Sequence, residues 1–150
     1  MKNNALYRPC TGIVLYKPNH GIFAGTRIGR FQEYWQMPQG GIDPGEHPLN
    51  AAKRELFEET SVISTKLLKD HNNWLYYDVP EKLRPEFWQG KYIGQKQKWF
   101  LLEFTGDDSE INLNTKEPEF SNWNWVSKEF LLKNIVPFKK EIYKEVLAGL

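Results

Sequence analysis

Three glutamates on one short segment are the first candidates for chemistry in this sequence. Glu55, Glu58 and Glu59 follow the Gly- and Pro-rich stretch GGIDPGEHP, and on a helix their i, i+3, i+4 spacing brings three carboxylates onto one face. Hard oxygen ligands on a rigid face, with room for water and phosphate, are what Mg²⁺ binds. On spacing alone, the competing interpretation is an exposed cluster whose repulsion is screened by solvent and by Lys53 or Arg54.

These glutamates lie in a helix predicted from Pro48 to about Thr60. The segment has no Gly or Pro in its interior, and Pro48 suits the first helical turn. A second helix is predicted from Pro137 to Leu147. Strands are predicted at residues 11–16, 22–26, 74–79, 97–104 and 123–126, with an extended piece at 35–38 and a surface loop from 80 to about 92. Strands around one internal and one terminal helix, without a linker or repeat, predict a single α+β or α/β/α domain.

Composition excludes several classes of protein. The 20 basic and 19 acidic residues leave a formal charge of +1, so any basic surface must be local. Cys10 is the only cysteine, which excludes an internal disulfide and a Cys-built metal site and predicts a small buried residue. No apolar run approaches the roughly 20 residues that span a bilayer, and the N-terminus has no signal-peptide core. We therefore expect a cytoplasmic protein without membrane segments.

The segment 40–62 resembles the Nudix box of the Nudix hydrolases. Its pattern is Gly40, five residues, Glu46, seven residues, and then Arg54-Glu55-Leu56-x-Glu58-Glu59-x-x-Val62. This resemblance implies one Nudix hydrolase domain over residues 1–150, an α/β/α sandwich with a mixed β-sheet in which the box forms a loop-helix-loop. The family's glycine after the helix is Ser61 here. The turn must either accept a non-glycine residue near positive φ, at a cost of roughly 1 kcal/mol, or end differently.

The resemblance also assigns roles to side chains. The implied ligands of one or more Mg²⁺ ions, with Mn²⁺ or Zn²⁺ as substitutes, are the backbone carbonyl of Gly40 and the carboxylates of Glu55, Glu58, Glu59 and Glu119. Arg54 would orient the acidic side chains. Such a site cleaves a phosphoanhydride, because the cation neutralises the diphosphate while a carboxylate takes a proton from the attacking water. We favour Glu55 or Glu58 as that proton acceptor and keep Glu119 as a further candidate.

Four stretches outside the central part of the box indicate which branch of the family the chain resembles. They are YRPCTGIVLY at 7–16, WQMPQGGIDPGE at 35–46, IGQKQKWFLLEF at 93–104 and PEFSNWNWV at 118–126. They resemble the bacterial RNA pyrophosphohydrolases, a branch also described as dinucleoside polyphosphate hydrolases, from about residue 7 to residue 146. The implied reaction removes pyrophosphate from the 5′-triphosphate end of RNA and initiates RNA decay. The alternative is asymmetric cleavage of dinucleoside polyphosphates such as diadenosine tetraphosphate.

Basic residues near predicted strands are candidate phosphate contacts. Alternation in GQKQKWF puts Lys96 and Lys98 on one face of a strand, where they suit either phosphate binding or protection of a sheet edge. Arg8 and Arg27 lie beside strands, where a guanidinium can clamp phosphate in two places. A surface role is the alternative for both arginines, and their resemblance to the family's phosphate-contacting arginines favours binding.

Aromatic residues supply candidates for nucleobase binding. The resemblance implies that Phe138, in PFKKEIY, stacks on a base while Lys139 contacts phosphate. Plain core packing is the alternative for Phe138, and Tyr77 in NWLYYD is a weaker candidate for the same pocket. The tryptophans, among them Trp99, are predicted to lie mostly in the core. The three histidines show no spacing that indicates a metal site or a triad, so we assign them no role.

Two other functions fit the box in principle. A catalytically silent nucleotide- or RNA-binding module would have lost a box glutamate, and none is lost here. A housecleaning enzyme for damaged nucleoside triphosphates shares the box but does not need the flanking stretches.

Overall fold

The sheet is centred on its two longest strands, β1 (Tyr7–Lys17) and β7 (Gly94–Phe104), which pair in parallel. The computed structural model describes residues 4–150 of the chain. Within them, eight strands form one sheet of mixed parallel and antiparallel pairing, as predicted. Residues 10–15 of β1 are buried on both faces, so its sequence there lacks the strict alternation of polar and apolar residues, whereas burial alternates along most of β7.

The other strands extend the sheet on both sides of this pair. They are β2 (Gly21–Arg27), β3 (Trp35–Gln36), β4 (Gln39–Gly41), β5 (Thr65–Asp70), β6 (Leu75–Asp78) and β8 (Phe120–Val126). The main path is β3-β2-β1-β7-β5, while β4 pairs with β1, β6 with β7 and β8 with β2. Every predicted strand is confirmed with small shifts of its ends, and β4 and β5 were not predicted.

Helix α1 (Pro48–Thr60) confirms the predicted bounds of the acidic helix. Pro48 takes the first helical position, and the ring of His47 caps the helix by accepting a hydrogen bond from the backbone N–H of Leu49 at 3.1 Å. Capping is a role that the sequence analysis did not give to any histidine. The helix ends at Ser61, which adopts φ 68° and ψ 7°. The turn therefore accepts a non-glycine residue in the left-handed region, the first of the two predicted outcomes.

Two further helices lie near the C-terminus. The unpredicted α2 (Lys128–Asn134) precedes α3 (Lys140–Leu147), and the predicted helix from 137 begins instead with a 3₁₀ turn at Pro137–Lys139. Residues 81–90, predicted as loop, form two short 3₁₀ turns whose residues are exposed or half-buried. None of the helices in residues 4–150 is long and apolar enough to cross a membrane.

The sheet separates two apolar cores, which makes the fold an α/β/α sandwich. One core joins the sheet to α1 through Ala52 and Leu56, and the other joins it to α2 and α3 through Leu131 and Tyr143. Trp99 is buried in the second core and Cys10 is fully buried, both as predicted. The prediction that the tryptophans lie mostly in the core is wrong for the other five, which are only half-buried. Trp123 and Trp125, which were expected in the core, lie at the margin of the first core.

Candidate active site

Arg54 is at the centre of the acidic part of the site. Its guanidinium donates hydrogen bonds to the carboxylates of Glu46, Glu55 and Glu58 and to the carbonyl oxygen of Gly41, with nitrogen–oxygen distances of 2.9 to 3.3 Å. The bond from Arg54 lowers the pKa of Glu46 to about 2, so this pair stays charged. Arg54 thus ties α1 to the loop before it and contacts two of the three glutamates of α1, a geometry that fits the orienting role implied for it.

Strand β4 brings Gly40 against the helix. In the antiparallel pairing of β4 with β1, Gly40 lies opposite Thr11. A Cβ at Gly40 would collide with the carboxyl group of Glu55. A glycine is therefore required by the close approach of backbone and carboxylate. Two of the predicted metal ligands, the carbonyl of Gly40 and the side chain of Glu55, are neighbours.

Burial disfavours the charged forms of Glu55 and Glu59. Only 3 % of Glu59 is exposed, and burial, followed by the charges of Glu55 and Glu119, raises its pKa well above the ordinary value. The backbone of Gln39 and then the charge of Arg27 oppose this shift without cancelling it. Burial is also the main cause that raises the pKa of Glu55. A cation beside these carboxylates would offset the cost of burying them.

A cleft of about 520 Å³ opens beside the glutamates. Helix α1 forms one wall, and residues 115–119, in the loop before β8, form another. This loop contributes the exposed carboxylates of Glu117 and Glu119 and the exposed cation of Lys116. The hydroxyl of Thr115 is buried there and has no hydrogen-bond partner among residues 4–150. We call Glu55, Glu58, Glu59 and Glu119, together with Arg54, the acidic side of the site.

The acidic side fits a hard divalent cation in its chemistry. All of the predicted ligands supply oxygen atoms. No three acidic, histidine or cysteine donors in residues 4–150 are gathered closely enough to hold an ion as they stand, and Glu55 and Glu58 instead accept hydrogen bonds from Arg54. The side chain of Glu58 is 53 % exposed, which leaves it room to reorient. The buried charge on Glu59 and the Cβ-free approach at Gly40 favour the cation.

Cations and aromatic rings form the other side of the site. Lys139 is 7 % exposed, and its Nζ lies 5.6 Å from the ring centroid of Tyr77. Burial, and then the charge of Arg27, lowers the pKa of Lys139 to about 8, while Glu59 acts in the opposite direction. The ring of Phe138 packs on Tyr77 with centroids 5.8 Å apart. The charge of Glu59 thus acts on Lys139.

The two predicted arginines complete this basic side, which consists of Arg8, Arg27, Lys139, Tyr77 and Phe138. Nη2 of Arg27 lies 3.8 Å from a carboxylate oxygen of Glu119, and its buried Nε has no partner within residues 4–150. The guanidinium of Arg8 lies against the Cα of Gly41, and its charge acts on Glu55. The structure therefore brings Arg8 and Arg27 next to the acidic side, while Lys139 and Phe138 both contact Tyr77.

A buried glutamine network connects the strands under the site. The side-chain amide of Gln97 donates to Gln39 at 2.9 Å and to Gln95 at 3.0 Å, and its oxygen accepts from the indole N–H of Trp99 at 2.9 Å. Gln95 in turn accepts a hydrogen bond from the hydroxyl of Tyr77 at 2.8 Å. The network runs from β4, which carries Gly40, to Tyr77 on the basic side. These hydrogen bonds fix the positions of β4 and of Tyr77.

Lys96 and Lys98 are not joined to this arrangement. Both ammonium groups lie over the ring of Trp74, at 4.8 and 5.5 Å, and Lys98 also donates to the carbonyl of Asn72. They occupy the face of β7 opposite to Gln97, whose neighbour across the β1–β7 pair is Cys10. Their phosphate-binding role stays a prediction that no contact supports. The sheet-edge alternative is wrong, because β7 has partner strands on both sides.

Several residues of the site escaped the sequence analysis. Gln97 gave no signal beyond its alternation with lysines, since a buried amide network depends on contacts between strands. Thr115 and Lys116 lie in a polar segment without periodicity, and only the fold places this segment opposite α1. Glu46 was part of the recognised pattern, but its pairing with Arg54 required the folded loop.

Comparison with known proteins places the chain among relatives of similar length. A protein named RNA pyrophosphohydrolase from Wolbachia sp. subsp. Brugia malayi is 47 % identical over 142 residues, covering 94 % of this chain and 88 % of the relative. One of the same name from Roseobacter denitrificans is 48 % identical over 143 residues, covering 94 % and 89 %.

Solved structures share the fold at much lower identity. The E. coli dihydroneopterin triphosphate pyrophosphohydrolase has a TM-score of 0.71 at 17 % identity, covering 97 % of this chain and 99 % of that chain. A C. elegans Ap4A hydrolase in a binary complex has a TM-score of 0.67 at 22 % identity, covering 94 % and 99 %. A family profile described as NUDIX domain matches residues 6–146. The chain belongs to the Nudix family.

Proposed function

We propose that this Nudix hydrolase removes pyrophosphate from the 5′-triphosphate end of RNA, using Mg²⁺ held by Gly40, Glu55, Glu58, Glu59 and Glu119. The observation that carries the proposal is the meeting of the acidic and basic sides, where Nη2 of Arg27 lies 3.8 Å from a carboxylate oxygen of Glu119. A nucleoside with a chain of phosphates needs both, because its phosphates require cations and its base requires an aromatic surface. The names of the relatives support RNA as the substrate.

The basic side binds and orients the polyphosphate. The partnerless Nε of Arg27 and the ammonium of Lys139 are buried donors whose hydrogen bonds to phosphate oxygens would repay their desolvation. Arg8 extends the row of positive charge toward Glu55. Phe138, which is half-buried, offers ring surface for a nucleobase and packs on the buried ring of Tyr77. Together these groups would hold the phosphorus atom near the carboxylates.

Glu55 is the best candidate for the proton acceptor. Its raised pKa makes it a stronger base than an ordinary carboxylate. As the oxygen of water forms a bond to phosphorus, the proton passes to Glu55, and the broken anhydride bond leaves its electron pair on the departing pyrophosphate. Divalent metal ions, when bound, supply charge neutralisation for this negatively charged reaction centre. Arg54 keeps Glu55 in place through the hydrogen bond from its Nη1.

A second candidate substrate is a dinucleoside polyphosphate. The aromatic rings and cations of the basic side bind features that it shares with triphosphorylated RNA, and no contact among residues 4–150 reads a feature that only RNA has. Mn²⁺ or Zn²⁺ in place of Mg²⁺ and a cytoplasmic location stay predictions.

Product analysis with Mg²⁺ tests the proposal. The purified protein is offered a short 5′-triphosphorylated RNA and diadenosine tetraphosphate in parallel, with Glu58→Gln as the inactive control. Release of pyrophosphate or phosphate that leaves 5′-monophosphorylated RNA, and is lost in the variant, supports the proposal. Cleavage of the dinucleotide alone would show that RNA is not the substrate. Undiminished turnover by Glu58→Gln would refute the metal site.

A further inference from the structure

Trp88 occupies an unusual backbone conformation beside the site. Trp88, Gln89 and Gly90 have φ of 48°, 59° and 73°, so three consecutive residues adopt the left-handed region. For the two that are not glycine, this costs roughly 1 kcal/mol or more each. Glycine would form the same turn without this cost. A large aromatic ring is therefore present at a position whose backbone conformation favours glycine.

The guanidinium of Arg8 links the ring of Trp88 to the acidic side. The guanidinium carbon of Arg8 lies 5.8 Å from the ring centroid of Trp88, and the same guanidinium contacts Gly41 and acts on Glu55. Trp88 is half-buried, so part of its ring is open to solvent. An aromatic group in this place can stack on a base whose phosphate is bound by Arg8.

Aromatic contacts connect Trp88 to the basic side. Phe87 lies 5.4 Å from Trp88 between ring centroids and stacks on Phe31 at 6.1 Å with an interplanar angle of 11°. Phe31 in turn contacts Phe138 at 5.9 Å. Arg30 lies 4.8 Å over the ring of Phe87 and is paired with Glu86. The segment 87–88 is thus held firmly against the loop that follows β2.

We propose that Trp88 is a second nucleobase platform, which stacks on a base of the substrate other than the one held by Phe138 and Tyr77. This inference rests on the proposed function, since it adds a neighbouring nucleotide of RNA to the first. Arg8 lies over Trp88 and Lys139 over Tyr77, so each aromatic surface has a cation beside it that can bind the phosphates next to a stacked base. A substrate with one nucleoside would leave Trp88 unused.

The test compares Trp88→Ala and Trp88→Tyr with Trp74→Ala as the matched control. Trp74 is also half-buried and has lysine ammonium groups over its ring, but these lie away from the basic side. Because stacking on an aromatic ring contributes on the order of 1–3 kcal/mol per base, Trp88→Ala should raise the KM for a 5′-triphosphorylated RNA trimer by about 5- to 100-fold. Its kcat, and its KM for GTP, should change by less than about threefold. Trp88→Tyr and Trp74→Ala should remain close to wild type.

Binding of a fluorescent 5′-monophosphorylated RNA trimer separates this inference from the proposed function, because it requires no catalysis. Weaker binding by Trp88→Ala, with binding retained in Trp88→Tyr and an unchanged Tm, supports the platform even if RNA proves not to be hydrolysed. Equal increases in KM for RNA and GTP, or a lower Tm without any change in RNA binding, would overturn it. Absence of RNA binding by the wild type would overturn it as well.

Discussion

The acidic side and the basic side of the site are built in different ways. Three of the four glutamates, together with Arg54, come from the single helix α1, within six consecutive residues. The basic side instead collects Arg8 from β1, Arg27 from β2, Tyr77 from β6 and Phe138 and Lys139 from the turn before α3. A helix brings its own residues together by its periodicity, whereas residues on separate strands meet only through the sheet.

The two sides are also complementary in their charge. Burial raises the pKa of Glu59 on one side and lowers the pKa of Lys139 on the other, so each buried group is biased toward its neutral form. A divalent cation would stabilise the charged form of Glu59, and a phosphate would stabilise the charged form of Lys139. On each side, therefore, the charged form of one buried residue stays unfavourable until a ligand binds.

Replacing Glu59 would break the acidic side with the largest effect. Glu59→Gln should lower the rate of phosphate release by at least about 100-fold, because it removes a predicted metal ligand. The same change should raise Tm at neutral pH, since it replaces a carboxyl group whose charged form is disfavoured by burial. Glu117→Gln is the matched control, because Glu117 lines the same cleft but is exposed. A Glu59→Gln variant with wild-type rates would contradict the assignment.

The stability gain of Glu59→Gln should depend on pH in a defined direction. The folded pKa of Glu59 lies above its ordinary value of 4.5, so the folded protein holds this proton more tightly than the unfolded chain does. The penalty of Glu59 is therefore absent below pH 4.5 and grows as pH rises toward the folded pKa. Thermal unfolding of both proteins across this range should show equal Tm values only at the acidic end.

Replacing Gln97 would remove the central residue of the glutamine network, which connects the two sides. Gln97→Leu leaves the indole N–H of Trp99 and the side-chain oxygen of Gln39 without their partner. We expect the free energy of unfolding to fall by about 2–4 kcal/mol, since each unsatisfied buried group costs on the order of 1–3 kcal/mol. Denaturant unfolding measures it. Lys96→Leu, on the opposite face of the same strand, should stay within about 0.5 kcal/mol of wild type.

Removing the charge of Lys139 tests the basic side with a smaller effect. Lys139→Met should raise the KM for triphosphorylated RNA about 10-fold, because a charged hydrogen bond contributes roughly 1.5–3 kcal/mol. Lys140→Met, at the adjacent exposed lysine, is the control. In the wild type, KM should rise as pH increases past about 8, where Lys139 loses its proton. A KM for Lys139→Met that shows the same rise would mean that another group causes it.

The charge of Lys139 should also make the free energy of unfolding depend on pH in a defined direction. Its folded pKa of about 8 is below the ordinary 10.5, so the unfolded chain binds this proton more tightly. The desolvation penalty is fully present below pH 8 and is relieved as pH rises from 8 to 10.5. Relative to Lys139→Met, the wild type should gain stability over that interval. The groups that act on this charge are Arg27, Cys10 and Glu59.

The smallest expected effect concerns the end of α1. Ser61→Gly relieves the left-handed backbone, worth roughly 1 kcal/mol, but loses the hydrogen bond from the hydroxyl to the carbonyl of Asn112 at 2.9 Å. These effects oppose each other, so the free energy of unfolding should change by less than about 1 kcal/mol. Ser61→Ala keeps the strain and loses the bond, and should be the less stable of the two. The opposite order would show that glycine relieves no backbone strain at this position.

The sequence predicted the elements that have strong local signals. Helix α1 was correct at both ends, because Pro48 and the absence of interior breakers are local features. Strand β5 was missed since TKLLKD is charged, nearly all exposed and interrupted by a register shift at the sheet edge. Helix α2 has only seven residues, too few for a periodic pattern. In both cases the stabilising contacts come from neighbouring elements rather than from the segment itself.

For the site, the sequence by itself determined the acidic cluster, because i, i+3 and i+4 spacing on a helix is sufficient to bring carboxylates together. Only the tertiary structure decided which cations join them. Arg8 approaches Gly41 and Arg27 approaches Glu119 through the pairing of distant strands, while Lys96 and Lys98, equally suggestive in the sequence, lie on the other face of β7. A strand alternates between two faces, and the choice between those faces depends on what packs against each of them.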